Sequence, residues 1–502
     1  MIGIACRKLI CYSGTMRIPL DPESSIPLYR QIESWLRDNI LNGSLQPGTR
    51  LPATRGLSEK LGVSRITIKN AYAALEADGL ILTHEGSGTF VAPPLPELEQ
   101  IDGSAETTWP LWQTESALQP SPDEVPLVTH SSAIDPISFT GVGDAQLSPV
   151  KDFARTIQDV LRRDGNAALE YGSFDNGWFP LRRTVVRVLA SQGFQARPED
   201  VLITSGSQQA LALVCQVLLK PGDVVLVEKP TYNLALDLFH ALGLKIVDIP
   251  IDANGLQVDL LEPLLQQAHP RLIYTIPNFQ NPGGVCMSLP RRRQLLELAT
   301  RYNVPILEDD FAGDLRFEGR YLPAIKALDA NGRVIYVGTF SKMLMPGLRV
   351  GYLIANGPIY DRLVRQKRVS DLTTSPLMQR AVHQYVTVGR YQTHLRRSAH
   401  LYRARRDALC AALRQYLPQA AFNLPHGGLF LWLKLPDGLS SSELLAFALD
   451  AGVEFTPGRA FFSNPAEGES YLRLNFASRT EEEIEKGIQR LGEAFRRLSG
   501  SI

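Results

Sequence analysis

The sequence predicts a multidomain chain: a small N-terminal α/β module, a helix-turn-helix with a two-stranded wing, followed by a large α/β body on an open, mostly parallel sheet. Three observations predict it. At 502 residues the chain is too long for one ordinary domain, and roughly 100 to 200 residues per domain suggests two to four. Before residue 92, two helical patterns meet at a tight glycine turn. After residue 200, apolar strands alternate with helical patterns, and each strand ends in a polar or aromatic residue.

Composition narrows the partners. Lys plus Arg and Asp plus Glu both number 52, so overall charge points to neither nucleic acid nor membrane, and such a partner has to be argued locally. The longest apolar run, Ala210 to Leu219, is interrupted by Gln216 and falls short of a bilayer span. No membrane partner is expected. Five cysteines, at 6, 11, 215, 286 and 410, show neither metal-ligand spacing nor a disulfide framework. That pattern fits a reducing cytoplasm, and no metal site is expected.

Residues 1–24 form a tail expected to be disordered. Its first fifteen residues lack the apolar core of a signal peptide, and Met16 opens Met-Arg-Ile-Pro-Leu-Asp, so starts at Met1 and at Met16 both remain open. Residues 25–92 form the first domain. Leu28, Ile32, Trp35, Leu36 and Ile40 fall at helical spacing, and Gly43, Pro47 and Gly48 end that helix. A short helix, a turn at Gly62 and a second helix follow, with Ser64 placed to cap the second. Near its start that helix carries Arg65, Thr67 and Lys69, where base edges are read in helix-turn-helix proteins. Ile81 to Val91 reads as two strands around glycines, a wing. Between Arg50 and Lys69, five basic residues (Arg50, Arg55, Lys60, Arg65, Lys69) face only Glu59, a local basic stripe of the kind phosphates select.

This first domain resembles the winged helix-turn-helix of GntR-type regulators, through Leu51-Pro, Arg55, Leu57, Leu61-Gly-Val-Ser-Arg, Thr67, the Ala71-Tyr-x-x-Leu75-Glu helix and Gly79-Leu-Ile. The resemblance implies double-stranded DNA as partner, touched by Arg55, Ser64, Arg65, Thr67 and Lys69, with His84 and Gly86 in the wing. Phosphate contacts would set affinity, and Arg65 would read a base.

Residues 93–136 begin Pro-Pro-Leu-Pro and show no sustained period, which predicts a semi-rigid tether. Trp109 and Trp112 suggest that part of it docks on a surface.

The body spans 137–502. Val201-Leu-Ile-Thr is a strand, Ser205-Gly-Ser-Gln-Gln a turn and Ala210 to Leu219 a helix, so free N–H groups at the helix start favour an anion. Further strands end at Tyr232, at Asn281-Pro-Gly, at Asp309-Asp310 and at Thr339, the last leading to Lys342 in Gly-Thr-Phe-Ser-Lys-Met-Leu-Met-Pro-Gly-Leu-Arg349. Strand ends that all carry functional groups describe a site on the carboxyl edge of an open sheet. A carboxylate can keep a heterocyclic nitrogen protonated, an amide and an aromatic can hold a ring, and a lysine can form a Schiff base. In the last part, strands and helices around His426-Gly-Gly, Gly452-Val-Glu and Leu472-Arg473-Leu-Asn-Phe form a small α+β domain.

These motifs resemble fold-type I aminotransferases that use pyridoxal 5'-phosphate, and the whole chain resembles MocR-like regulators. The resemblance implies that Lys342 holds the cofactor as a Schiff base and that Asp309 pairs with the ring nitrogen, with Asp310 the alternative. Asn281 would meet the ring hydroxyl and Tyr232 would stack on the ring. Gly206, Ser207, Gln208, Thr339, Ser341 and Arg349 would hold the phosphate, Tyr171 would reach it from the second subunit of a homodimer, with domain swapping left open, and Arg473 would clamp a substrate carboxylate. Two departures stand out: Phe311 occupies a position usually held by tyrosine, and Asn281-Pro-Gly-Gly lacks the usual threonine. The expected function is a cytoplasmic DNA-binding regulator that senses an amino compound or the cofactor. The alternative is an active aminotransferase, and a residual half-reaction is compatible with both.

Overall fold

The computed structural model describes residues 18–84, 86–93, 136–141, 143–172, 175–190, 193–342 and 344–500. The expected tether, with Trp109 and Trp112, lies outside the described residues, as does most of the tail. The chain separates into two units, Met1–Leu118 and Gln119–Ile502.

In the first unit the helical spacing becomes three helices, Leu28–Leu41, Thr54–Leu61 and Arg65–Ala77. Gly62 takes a left-handed conformation (φ 68°) that ends the second helix, where a side chain would be strained. Two residues on, Ser64 starts the third, its hydroxyl accepting from the Thr67 amide at 3.1 Å. A hairpin of Ile81–His84 and Gly88–Val91 follows, with His84 opposite Gly88. Ile32, Leu36, Leu57, Ile68, Ala71, Leu75 and Ile81 form a core private to this unit. Ile18 is 6% exposed in that core. The expected disordered tail is therefore corrected at its end, because burying an isoleucine favours an ordered entry to the module.

The second unit carries an eight-stranded sheet. Its order is Val201–Thr204, Gly351–Ile354, Val334–Thr339, Ile306–Asp310, Leu272–Thr275, Val224–Lys229, Lys245–Asp252 and Gly255–Leu256. Gly351–Ile354 runs antiparallel to both neighbours, and Gly255–Leu256 is antiparallel to its one neighbour. The other six strands are mutually parallel, so their carboxyl ends share one edge of the sheet. The central strands are buried along almost their whole length, with apolar runs and polar carboxyl ends, as expected where both faces of a parallel sheet are covered. A smaller four-stranded sheet runs in the order Ala421–Phe422, Phe430–Lys434, Tyr471–Asn475 and Thr456–Pro457, and the helix Glu481–Ser499 packs on the helices Arg390–Tyr416 and Ser441–Asp450. Thr480 and Glu483 close a reciprocal cap at the start of that helix. Among the described residues, no helix is long and apolar enough to cross a membrane.

Candidate functional site

Five strand ends and the small sheet converge on a cavity of about 290 Å³, lined by Ser207, Tyr232, Asn233, Leu234, Asn281, Asp309, Phe311, Lys342, Phe430 and Arg473. Six of the residues expected from sequence thus meet in one place. Asp309 is 2% exposed; its Oδ2 accepts from the Tyr274 hydroxyl at 3.0 Å, while its Oδ1 has no hydrogen-bond partner. Burial pushes the Asp309 carboxyl up to about 7, with Tyr274 pulling it back and Asp310 adding to the rise. Asp310 is partnered at both oxygens, by the Tyr336 hydroxyl at 2.8 Å and by Asn278 Nδ2 at 3.2 Å. The carboxylate with a free acceptor is therefore that of Asp309.

Lys342 follows the Val334–Thr339 strand. Burial, then the Arg349 and Arg473 charges, bring its amine down to about 8, against a smaller upward pull from Asp309. A lysine so placed carries a larger neutral, nucleophilic fraction at neutral pH than a free one.

Beside it lies an anion cradle. The helix Ser207–Leu218 begins at Gly206 with no side-chain cap, so its first N–H groups remain open to an anion. Gly206 has φ +95°, and a Cβ there would sit 2.6 Å from Arg349 Nη2. That atom donates to the Ser205 carbonyl at 3.0 Å, which lays the guanidinium across the turn. The Ser341 hydroxyl is buried without a partner. Two expected members of this cradle also hydrogen-bond within the protein. The Thr339 hydroxyl accepts from the Ser341 amide at 3.0 Å and lies 3.4 Å from the Val350 carbonyl, so it shapes the loop. Gln208 Nε2 donates to the Leu234 carbonyl at 3.0 Å, and its Oε1 is buried without a partner. Tyr171 is 73% exposed and does not line the cavity of its own chain.

On the other side, Arg473 donates to Asn281 Oδ1 at 2.9 Å, and its guanidinium carbon lies 4.2 Å from the Phe430 ring centre and 4.8 Å from that of Phe461. Its Nε is buried without a partner. Burial lowers its pKa to about 10, so it stays cationic at neutral pH. Tyr232 is half-buried, its hydroxyl raised to about 12 by burial and by Asp309. Phe311 stacks on Phe430 with centres 6.2 Å apart and brings no hydrogen-bonding group. Sequence reasoning missed Tyr274, Asn233, Leu234 and Phe430. Of these, only Tyr274 left a signal, an isolated tyrosine in a wholly apolar strand.

In the first unit, Arg65 and Lys69 are exposed on the outer face of Arg65–Ala77, and Thr67 is half-buried. Ile66 and Asn70, also missed from sequence, share that exposed face. Arg55 is exposed and pairs with Glu59 at 3.3 Å. His84 ends the first wing strand, and Gly86 takes φ 78° in the wing turn.

Comparison with known proteins joins the two units. Residues 28–91 match the bacterial regulatory proteins of the GntR family, and residues 141–491 match aminotransferase class I and II. The probable rhizopine catabolism regulatory protein MocR of Rhizobium meliloti is 32% identical over 96% of this chain and 96% of its own. The chain belongs to the MocR-like family. The MocR-like body alone has enzyme relatives: aromatic-amino-acid aminotransferase 1 of Thermococcus litoralis is 39% identical over 72% of this chain and 88% of its own. The crystal structure of α-aminoadipate aminotransferase from Thermus thermophilus, complexed with N-(5'-phosphopyridoxyl)-L-leucine, is 37% identical. It matches with a TM-score of 0.70 over 73% of this chain and 94% of that one.

Proposed function

We propose that this protein is a cytoplasmic, homodimeric transcriptional regulator that binds double-stranded DNA through residues 28–91 and pyridoxal phosphate in the cavity at Lys342, and that an amino compound or the cofactor is its signal. The observation that carries this reading is one chain holding both a winged helix and a cavity whose unpaired donors and acceptors match that cofactor. The unpartnered Asp309 Oδ1 suits a protonated ring nitrogen. The uncapped helix start at Gly206, the orphan Ser341 hydroxyl and Arg349 suit a phosphate. Lys342 supplies the amine, and the buried Nε of Arg473 suits the carboxylate of an amino acid.

Pyridoxal phosphate, when bound, supplies an electrophilic carbon and an electron-withdrawing ring. The protein's own part is positioning and proton control. Asp309, held by Tyr274, would set its unpartnered Oδ1 against the ring nitrogen and keep that nitrogen protonated. Tyr232 would cover the ring, and Asn281, held by Arg473, would present its amide to the ring edge. With its amine lowered to about 8 by burial and by Arg349 and Arg473, Lys342 can take up and release a proton near neutral pH, which suits a reversible sensor.

A second reading, a working aminotransferase, is favoured by Arg473 and by the completeness of the lysine and aspartate set. Phe311 weighs against it, because it supplies no hydroxyl at the cavity wall to steer proton transfer.

The test compares wild type with Lys342→Ala. The variant is expected to lose the visible absorbance of lysine-bound cofactor, and its binding to the DNA upstream of its own gene should no longer respond to added amino compounds. A Lys342→Ala protein that retains that absorbance, or a wild type that binds no such DNA at any salt, overturns the regulator reading. Sustained turnover of an amino donor with a keto acid favours the enzyme instead.

A further inference from the structure

We propose that Ile66 reads a base, and that each half-site of the operator carries a thymine whose 5-methyl group packs against it. The inference rests on the DNA-binding reading above and deepens it by naming the chemistry recognised.

The first turns of Arg65–Ala77 sort their side chains sharply. Ile68, Ala71, Tyr72 and Leu75 are buried in the module core, whereas Arg65, Ile66, Lys69 and Asn70 are exposed. The hydroxyls of Ser64 and Thr67 are spent on each other at 2.8 Å and on the Thr67 amide at 3.1 Å. What remains to face outward is two cations, one amide and one branched aliphatic side chain, the last 70% exposed.

On a free helix surface an isoleucine is a poor choice. It propagates helix less well than alanine or lysine, and its apolar area gains nothing until something covers it. Arg65 and Lys69 account for phosphate and guanine contacts, and Asn70 suits adenine, but none of these chemistries calls for an aliphatic group between them. The N-terminal residues of such a helix enter the major groove. There the thymine methyl is the one apolar group that a base pair presents. Ile66, a neighbour of Asn70 one turn further on, is placed to contact the thymine of an A·T pair.

The test uses the full chain with pyridoxal phosphate. It first selects duplexes from a randomised pool, and then replaces each thymine of the selected site in turn by deoxyuridine, which removes only the methyl group. For wild type, one thymine per half-site is expected to show a roughly fourfold loss of affinity, the worth of one buried methyl. In Ile66→Ala, whose exposed position tolerates alanine, thymine and uracil duplexes should bind equally, with an unchanged salt dependence. Lys69→Ala should keep the thymine sensitivity and lower the salt slope by about 1. Specific wild-type binding that ignores uracil at every position overturns the proposal, as does uracil sensitivity that survives in Ile66→Ala. An Ile66→Ala protein altered in oligomeric state alone assigns the side chain to a second copy and overturns it too. Failure to select any duplex overturns the DNA-binding reading as well.

Discussion

Asp309 is a carboxyl kept where water cannot solvate its charge. Burial raises it to about 7, against about 3.9 in an unfolded chain. Between those values the folded state binds the extra proton, so this group's contribution to stability falls as pH rises from about 4 through 7. Asp309→Asn in cofactor-free protein is therefore expected to raise Tm at pH 8 and to leave it unchanged near pH 4. The same variant should bind pyridoxal phosphate more weakly, because the group proposed to face the ring nitrogen loses its charge. A thermal scan at both pH values checks the first effect, and an equal change at both would show that the buried charge carries no cost. Tyr274→Phe removes the bond that pulls Asp309 back and is expected to leave the onset near pH 4 unchanged and to move the upper end of this pH dependence upward. The pair Asp309-Asp310 shows where one sequence stops short. Adjacent strand residues face opposite sides of a sheet, so the pattern places one acid at the cavity without saying which. Only the positions of Tyr274 and Tyr336 on the neighbouring strands, and of Asn278 in the loop after Leu272–Thr275, decide it.

Close packing of two backbones holds the anion cradle together. Gly351, which starts the antiparallel strand, approaches so near the Gly206 turn that a Cβ would stand 2.7 Å from the Gly206 carbonyl carbon and 3.0 Å from the Ser207 amide nitrogen. These neighbours are backbone and cannot rotate away. Gly351→Ala is expected to push the turn outward, costing about 1–3 kcal/mol of stability and weakening pyridoxal phosphate binding more than a substitution on a remote strand does. Denaturant unfolding together with a cofactor titration measures both, and unchanged cofactor affinity would refute the coupling. The strands that end in functional residues are legible in sequence, because Val201–Thr204, Leu272–Thr275, Ile306–Asp310 and Val334–Thr339 are short apolar runs with polar ends. Lys245–Asp252 and Gly351–Ile354 escape that reading. The first mixes Asp248 and Pro250 into its run near the sheet edge, and the second opens on a glycine and leads to no functional residue at its end. It is the unread strand that packs against Gly206, so the steric basis of the cradle was not visible from motifs.

Net charge of zero over 502 residues conceals a local basic stripe, which is why composition alone excludes nothing about DNA here. If the chain works as a dimer, two such stripes act together, and the second contact is intramolecular once the first is made. The full chain is then expected to bind a duplex with two half-sites at least about 100-fold more tightly than one with a single half-site. Residues 17–93 include a private core around Ile32, Leu57, Ile68 and Leu75 and can be tested alone. That fragment should bind each half-site independently, with little gain from the second. Titrations of both proteins against both duplexes, at matched salt, separate the cases. Equal affinity of the full chain for the two duplexes would mean that its modules never engage together, and a signal received at Lys342 would then need some route to DNA other than the pairing of two winged helices.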